Sequence, residues 1–145
     1  MRTFCGLAII ALVLPLAGGC DAVSSLIGAT SVTVELVNNG DYPVDATMFY
    51  YDDQDVIEEL LTEIGDEVKR SVAAGETTSF SRDCDKFQAF MLEDADLRVL
   101  GDLGPEASTD VFRDGDEFNC GDTIVLTFDH LDALGTGFDV DPSIR

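Results

Sequence analysis

Few residues of this 145-residue chain can do thiol or imidazole chemistry at neutral pH: four cysteines and one histidine. Cys84 and Cys120 are too far apart for a Cys-x-x-Cys redox motif, and His130 alone cannot complete a usual zinc site. The sequence contains no Gly-x-Ser-x-Gly nucleophile elbow and no glycine-rich phosphate loop. We therefore interpret His130 as an exposed residue at a strand end. We predict that the protein is not an enzyme and has no cofactor.

Carboxylates are the abundant candidate ligands, with 29 Asp and Glu residues in the chain. Several clusters fall in predicted turns, where their oxygens could surround Ca²⁺, which takes about six to eight oxygen ligands. No cluster fits an EF-hand loop, because Phe118 follows Asp114 and Asp116 where that pattern needs an oxygen ligand. Solvated turn residues and helix caps are the simpler interpretation, so we assign no metal site. The clusters are residues 52–55, Asp83 with Asp85, residues 93–96 and residues 114–117.

Two further function classes remain open beside this interpretation. A Ca²⁺-dependent binding module using the acidic loops is the alternative, and a hydrolase using paired carboxylates ranks last. With so many carboxylates, any pair of them is weak support for a hydrolase. Phe49, Tyr51 and Phe90 would form an interaction surface if both faces of a sheet carried aromatic residues, although core packing is the commoner role.

The charge balance excludes one class of partner. Arg2 is the only charged residue before Cys20, so the rest of the chain has 29 acidic and seven basic residues, a net charge of −22. Such a charge repels phosphates, which excludes nucleic acid as a partner. It also opposes adsorption on anionic lipid without a covalent anchor. Solubility is its simplest role, with attraction of cations or a basic partner as the alternative.

The N-terminus has the order of a signal peptide. Met1-Arg2-Thr3 is a short basic start, and residues 4–16 are apolar apart from Gly6. That run is shorter than the ~20 residues that cross a bilayer, so it resembles a signal h-region and not a membrane span. Gly18 and Gly19 supply small residues before a cleavage point.

Leu16-Ala17-Gly18-Gly19-Cys20 resembles the lipobox of bacterial lipoproteins. The resemblance implies cleavage between Gly19 and Cys20, a diacylglycerol on the Cys20 thiol, and a protein attached to a membrane of the bacterial cell envelope. The common pattern has Leu three places before the cysteine, whereas here Leu16 lies four places before it. The alternative is an ordinary secretory leader cut near Ala17. Asp21 resembles the inner-membrane retention signal of enterobacterial lipoproteins. Because that rule does not transfer between bacterial groups, the choice between inner and outer membrane stays open.

This assignment sorts the cysteines. With Cys5 in the leader and Cys20 modified, Cys84 and Cys120 are a single possible pair, and in an oxidising compartment they predict one disulfide. The bond could tie two sheets together, or tie a strand start to the turn before the last strand.

Most of the remaining chain alternates with a period of two, which predicts short strands. Asn38-Asn39-Gly40-Asp41 predicts a hairpin between the first two strands, and residues 73–76 predict a second hairpin. The acidic residues 93–96 predict a tight turn, and residues 101–108 a loop. The predicted strands are residues 32–37, 44–51, 67–72, 77–82, 87–92, 97–100, 109–113 and 123–128.

One segment has a helical period. Val56, Ile57, Leu60, Leu61 and Ile64 mark one face of a short helix over residues 56–64. A capping box from residue 55 to residue 58 and a glycine at position 65 agree with its ends.

These elements predict a mainly β fold, a single antiparallel β-sandwich of immunoglobulin-like or similar type with one short helix. We predict a signal peptide at 1–19, the lipidated cysteine and a tether at 20–31, the sandwich at 32–130 and a loosely held tail at 131–145. As an alternative, Phe138 and Ile144 of the tail could dock on the domain. The predicted function is a membrane-anchored, exported binding or structural module. Its partners would be the membrane, through Cys20, and an envelope protein. No small-molecule substrate is indicated.

Overall fold

The computed structural model describes residues 29–101, 104–132 and 134–145. The predicted leader, the cleavage site at Gly19 and Cys20, and most of the tether lie outside the described residues. Within the described ranges the chain forms nine strands, one α-helix and a short 3-10 helix at Cys84–Lys86. The elements are β1 (Ser31–Asn38), β2 (Val44–Tyr51), α1 (Glu58–Ile64), β3 (Asp66–Val72), β4 (Thr77–Asp83), β5 (Ala89–Leu97), β6 (Glu106–Ala107), β7 (Phe112–Arg113), β8 (Thr123–Asp129) and β9 (Asp139–Ile144).

The strands form two sheets packed on one core. Sheet A has the order β4-β1-β8-β9, and sheet B has the order β3-β2-β5-β6 with β7 also paired to β5. This confirms the predicted mainly β sandwich with one short helix. Neighbouring strands run antiparallel, except that β1 and β8 are parallel from Thr33 opposite Thr123 to Asn38 opposite Phe128. The antiparallel prediction misses this pair because alternation within a strand does not specify the direction of its partner.

Both predicted hairpins are wrong, since the chain changes sheets at each turn. The first turn follows Asn38, whose buried side-chain amide donates to Tyr42 O at 2.8 Å and Val72 O at 3.0 Å, while its Oδ1 accepts the Gly40 N–H at 3.0 Å. These bonds hold the chain across the sandwich between β1 and β2. The second turn, with Gly75 at φ 70°, takes the chain back from β3 in sheet B to β4 in sheet A. A turn signal marks a reversal without saying which sheet receives the next strand.

The predicted acidic turn at residues 93–96 is wrong as well, because β5 continues through it. Opposite β2, Asp94 faces Thr47 and Leu92 faces Met48, which leaves Glu93 as an extra, bulged residue. A bulge of this kind bends the strand without ending it. Beyond it Ala95 and Leu97 are buried, so the acidic residues alternate with core residues.

The predicted C-terminal tail contains a strand. β9 pairs antiparallel with β8 and forms the edge of sheet A, with Val140 buried opposite Phe128. Phe138 stacks on Phe128 with ring centroids 6.3 Å apart. The prediction of a loosely held tail is therefore wrong for residues 139–144. Asp139, Asp141 and Pro142 hid the strand because acidic residues and proline are rare in strand interiors, although proline is accepted at edges.

The main core lies between the sheets and has an aromatic centre. Phe87 is buried, with its ring 5.4 Å from Tyr50, 5.3 Å from Phe90 and 5.8 Å from Phe118 by ring centroids. Phe90 therefore belongs to the core, and Phe49 is buried in a second cluster. This agrees with core packing, the commoner of the two roles considered for Phe49, Tyr51 and Phe90, and only Tyr51 of the three is partly exposed.

The helix α1 covers part of the outer face of sheet B. Its Leu61 is fully buried and packs with Phe49, Ala89 and Met91 in the second cluster. The predicted inward face is only partly right. Ile57, Leu60 and Ile64 are 61%, 38% and 46% exposed, because a helix of two turns meets the sheet along a narrow line.

The helix ends differ from the prediction at one side. Its N-cap is Ile57 without a side-chain cap, and the Asp55 N–H donates to Asp53 Oδ1 at 2.9 Å, so the predicted capping box is absent. At the other end the Gly65 N–H donates to Leu61 O at 2.9 Å, which confirms its position after the helix.

Candidate functional site

The acidic residues converge at one place on the outer face of sheet B. Asp94 and Asp96 lie two residues apart on β5, and Glu106 on β6 is directly opposite Asp96. Carboxylate oxygens of these three residues lie within 4.8 Å of one another. We call Asp94, Asp96 and Glu106 the carboxylate cluster. Period two in a strand explains why the first two share a face.

Burial and neighbouring like charges change the protonation of Asp94 in this cluster. Burial, then the charge of Asp96 and its side-chain hydrogen bond, then the charges of Glu106 and Glu93, raise the pKa of Asp94 from 3.8 to about 6. Asp94 therefore releases its proton only near neutrality. The sequence identified Asp94 and Asp96 as candidates but missed Glu106, which falls in a predicted loop.

The carboxylate cluster could contact a cation but is incomplete as a calcium site. With one oxygen from each side chain, the three residues supply fewer ligands than the about six to eight that Ca²⁺ takes. In the described ranges no other group of three or more His, Cys, Asp or Glu side chains converges in this way. Residues of the other predicted acidic clusters serve as turn acceptors: Asp53 Oδ1 accepts the Asp55 N–H, and Glu117 Oε2 accepts the Arg113 N–H at 2.8 Å.

His130 joins two loops at the end of the sandwich where β1 and β8 finish. Its Nε2 accepts the Asp41 N–H at 3.0 Å, so its Nδ1 carries the proton and donates to Asp132 O at 2.7 Å. The ring is half-buried and lies 5.7 Å from the Tyr42 ring. His130, predicted to be an exposed residue, thus connects two loops by hydrogen bonds. Both nitrogens are already bonded to backbone groups, which leaves no free base.

Asp132 keeps the neighbouring loop in place. Its Oδ1 accepts the N–H groups of Leu134 at 2.9 Å and Thr136 at 3.0 Å. These backbone bonds, that of Thr136 first, lower the pKa of Asp132. An aspartate side chain that accepts backbone N–H groups two and four residues later stabilises a local turn.

Cys84 and Cys120 are joined by a disulfide with Cα atoms 5.5 Å apart. Cys84 directly follows β4, and Cys120 precedes β8, so the bond connects the two neighbours of β1 in sheet A. The Cys84 N–H also donates to Thr30 O at 2.9 Å. The bond therefore lies at the end of the sandwich where the described chain begins.

Among the described residues, the helix is neither long nor apolar enough to span a bilayer.

No family model and no curated protein matches the chain. Three solved structures are similar in shape. A protein from Eubacterium rectale has a TM-score of 0.47 at 9% identity, over 77% of this chain and 87% of that chain. The T6SS lipoprotein TssJ1 from Pseudomonas aeruginosa has a TM-score of 0.44 at 15% identity, over 81% of this chain and 98% of that chain. A structure described as "Trapped Toxin" has a TM-score of 0.38 at 9% identity, over 81% of this chain and 24% of its own. At these values they assign neither a family nor a function.

Proposed function

We propose that the protein is a lipid-anchored, extracytoplasmic β-sandwich that serves as a non-catalytic binding or structural module of a bacterial envelope. The observation that carries the proposal is the order of residues from the basic start at Arg2 through the apolar run to Leu16-Ala17-Gly18-Gly19-Cys20. Residues 1–19 would be removed, and acyl chains on Cys20 would hold the domain through the tether. Stable anchoring takes two such chains, because one gives only reversible binding.

The disulfide supports the compartment independently of the leader. Disulfides persist in oxidising compartments and are rare in the cytosol. Pairing of Cys84 with Cys120 also leaves Cys20 available for modification. The two observations concern different parts of the chain and agree on export.

A non-catalytic role is supported by the state of the titratable groups. His130 has both ring nitrogens bonded to backbone atoms, and Asp132 accepts two backbone N–H groups. General base catalysis needs a group within reach of a substrate proton. These side chains hold loops instead.

The anchor is tested by labelling cells that express the protein with a radioactive fatty acid. The native protein should incorporate label, and Cys20→Ser should lose it and accumulate as the uncleaved form. Cys5→Ser is the matched control, since it removes the other N-terminal cysteine and should label normally. Equal labelling of native protein and Cys20→Ser would overturn the proposal.

The calcium-dependent alternative stays a prediction, and the carboxylate cluster is where it is tested. Calcium binding should raise the melting temperature of the native protein and not that of an Asp94→Asn, Glu106→Gln variant. If millimolar Ca²⁺ leaves the melting temperature of the native protein unchanged, the alternative is wrong.

A further inference from the structure

Two arginines meet at the open side of the sandwich, where the edge strands β3 and β4 lie in different sheets. Arg70 extends from β3 and Arg82 from β4, and both guanidinium groups lie over the buried ring of Phe80. Their Cζ atoms are 5.6 Å and 5.2 Å from the centroid of that ring. Two guanidinium groups therefore make cation–π contact with one aromatic side chain. We call Arg70 and Arg82 the arginine pair.

The arginine pair is held in position by further contacts. Arg82 Nε donates to the Tyr50 hydroxyl at 3.0 Å, and its guanidinium lies 5.4 Å from the centroid of the Tyr50 ring. Arg82 Nη1 donates to Ser81 O and Arg70 Nη1 to Lys69 O, each at 2.9 Å. Both side chains are half-buried. A guanidinium has five N–H donors, so most of those in the pair have no acceptor among the residues that the structure describes.

Neither arginine of the pair forms an ion pair within the described part of the chain, although the protein has 29 acidic residues. By contrast Lys69, one residue away, pairs with Glu67 at 2.8 Å. Inward-pointing charges on edge strands hinder the addition of another strand. The hydrogen bonds from Arg70 to Lys69 O and from Arg82 to Ser81 O fit this role. That role does not require two guanidinium groups to share one ring and keep free donors.

We propose that the arginine pair binds carboxylates of an acidic, extended segment of a partner protein. A planar guanidinium matches a carboxylate through two parallel hydrogen bonds, and the pair offers two such forks. Arg70 and Arg82 lie on edge strands of different sheets, so an extended chain that crosses both edges can place successive acidic side chains on both guanidinium groups. The surrounding charge repels acidic chains at long range, so binding depends on these local contacts.

The proposal rests on the binding-module part of the proposed function and not on the anchor at Cys20. The lipid-labelling experiment and a binding experiment can therefore fail separately.

The test is fluorescence anisotropy with a labelled octapeptide of alternating Glu and Thr and the full-length protein in non-ionic detergent. At about 0.15 M salt the native protein should bind with a Kd below about 1 mM. Arg70→Gln with Arg82→Gln should weaken binding by about tenfold or more, as expected for loss of charged hydrogen bonds. Tyr50→Phe, which keeps the ring and removes the hydroxyl, should weaken it a few-fold.

Lys69→Gln is the control for loss of nearby positive charge, because it removes one charge next to the pair but outside it and should change Kd by less than about twofold. Melting curves establish that each variant is folded. The proposal is overturned if the peptide does not bind, if the double variant binds like native protein, or if Lys69→Gln loses as much affinity as the double variant. Arginine-dependent binding to phosphatidylglycerol vesicles without peptide binding would overturn it in favour of lipid.

Discussion

At the scale of single residues, Asp94 should make stability depend on pH. Its pKa is about 6 in the folded protein against 3.8 for the ordinary side chain, so between these values the folded state binds more protons than the unfolded state. The free energy of unfolding should therefore fall as pH rises from 4 to 6. Asp94→Asn should stabilise the protein at pH 7, by about 1 kcal/mol after allowance for solvent screening.

This prediction is checked by urea unfolding of both proteins at pH 4 and pH 7. Asp116→Asn makes the same charge change at an exposed turn residue and should leave the pH dependence intact. If the free energy of unfolding of Asp94→Asn depends on pH between 4 and 6 as strongly as that of the native protein, Asp94 is not the source of the pH dependence.

Gly40 should be intolerant of a side chain because of His130. A Cβ atom at Gly40 would lie 2.6 Å from His130 Cδ2, well inside van der Waals contact. Gly40→Ala should therefore destabilise by about 1–3 kcal/mol, measured by urea unfolding. In a double-mutant cycle with His130→Ala, the double variant should lose less stability than the sum of the two single losses, because His130→Ala removes the clash. Strict additivity would mean that the strain lies elsewhere.

The residue scale also shows where sequence reasoning ends for the candidate site. Asp94 and Asp96 were recognisable because carboxylates stand out in the sequence, but Glu106 was not connected to them. Its position depends on β6 pairing with β5, and that pairing has only two residues and no local signal. The arginine pair was missed for the same reason, since Arg70 and Arg82 meet only through the packing of two sheets.

At the scale of elements, β9 should contribute to stability as a strand of the domain. Val140 is 6% exposed and packs in the main core. Val140→Ala removes two buried carbons and should cost about 2 kcal/mol. Ser143→Ala, on the exposed part of the same strand, should change stability by less than about 0.5 kcal/mol. Chemical unfolding checks both values, and equal small effects would indicate a tail that is not docked.

Strands were predictable where hydrophobic residues alternate, as in β1, where Val32, Val34 and Leu36 are all buried. Their partners were not, because both expected hairpins depend on where the chain goes after a turn. Asn38 decides the first case through three side-chain hydrogen bonds, one of which reaches Val72 O on β3 in the other sheet. Local pattern thus predicts elements, and tertiary contacts select how they pair.

At the scale of the whole molecule, the disulfide should contribute a large part of the stability. It closes a loop between residues 36 apart in sequence, which in the chain-entropy model stabilises by about 4 kcal/mol. Replacing both Cys84 and Cys120 by serine should lower the free energy of unfolding by roughly that amount.

Reducing agent provides the internal control for this prediction. It should lower the melting temperature of the native protein and leave that of the double serine variant unchanged. Mass spectrometry after alkylation without reduction should find Cys84 and Cys120 unmodified. Alkylation of both residues in the native protein would show that the bond does not form.

The parallel pairing of β1 with β8 has a consequence for the order of folding. The first described strand, β1, has as one neighbour a strand far along the chain, with Thr33 opposite Thr123. Contacts so distant in sequence form late, because the intervening chain must first be made and closed. Sheet A therefore stays incomplete until β8 has been made, and until then one edge of β1 is unpaired. We expect the closure of sheet A to be the slow step of folding.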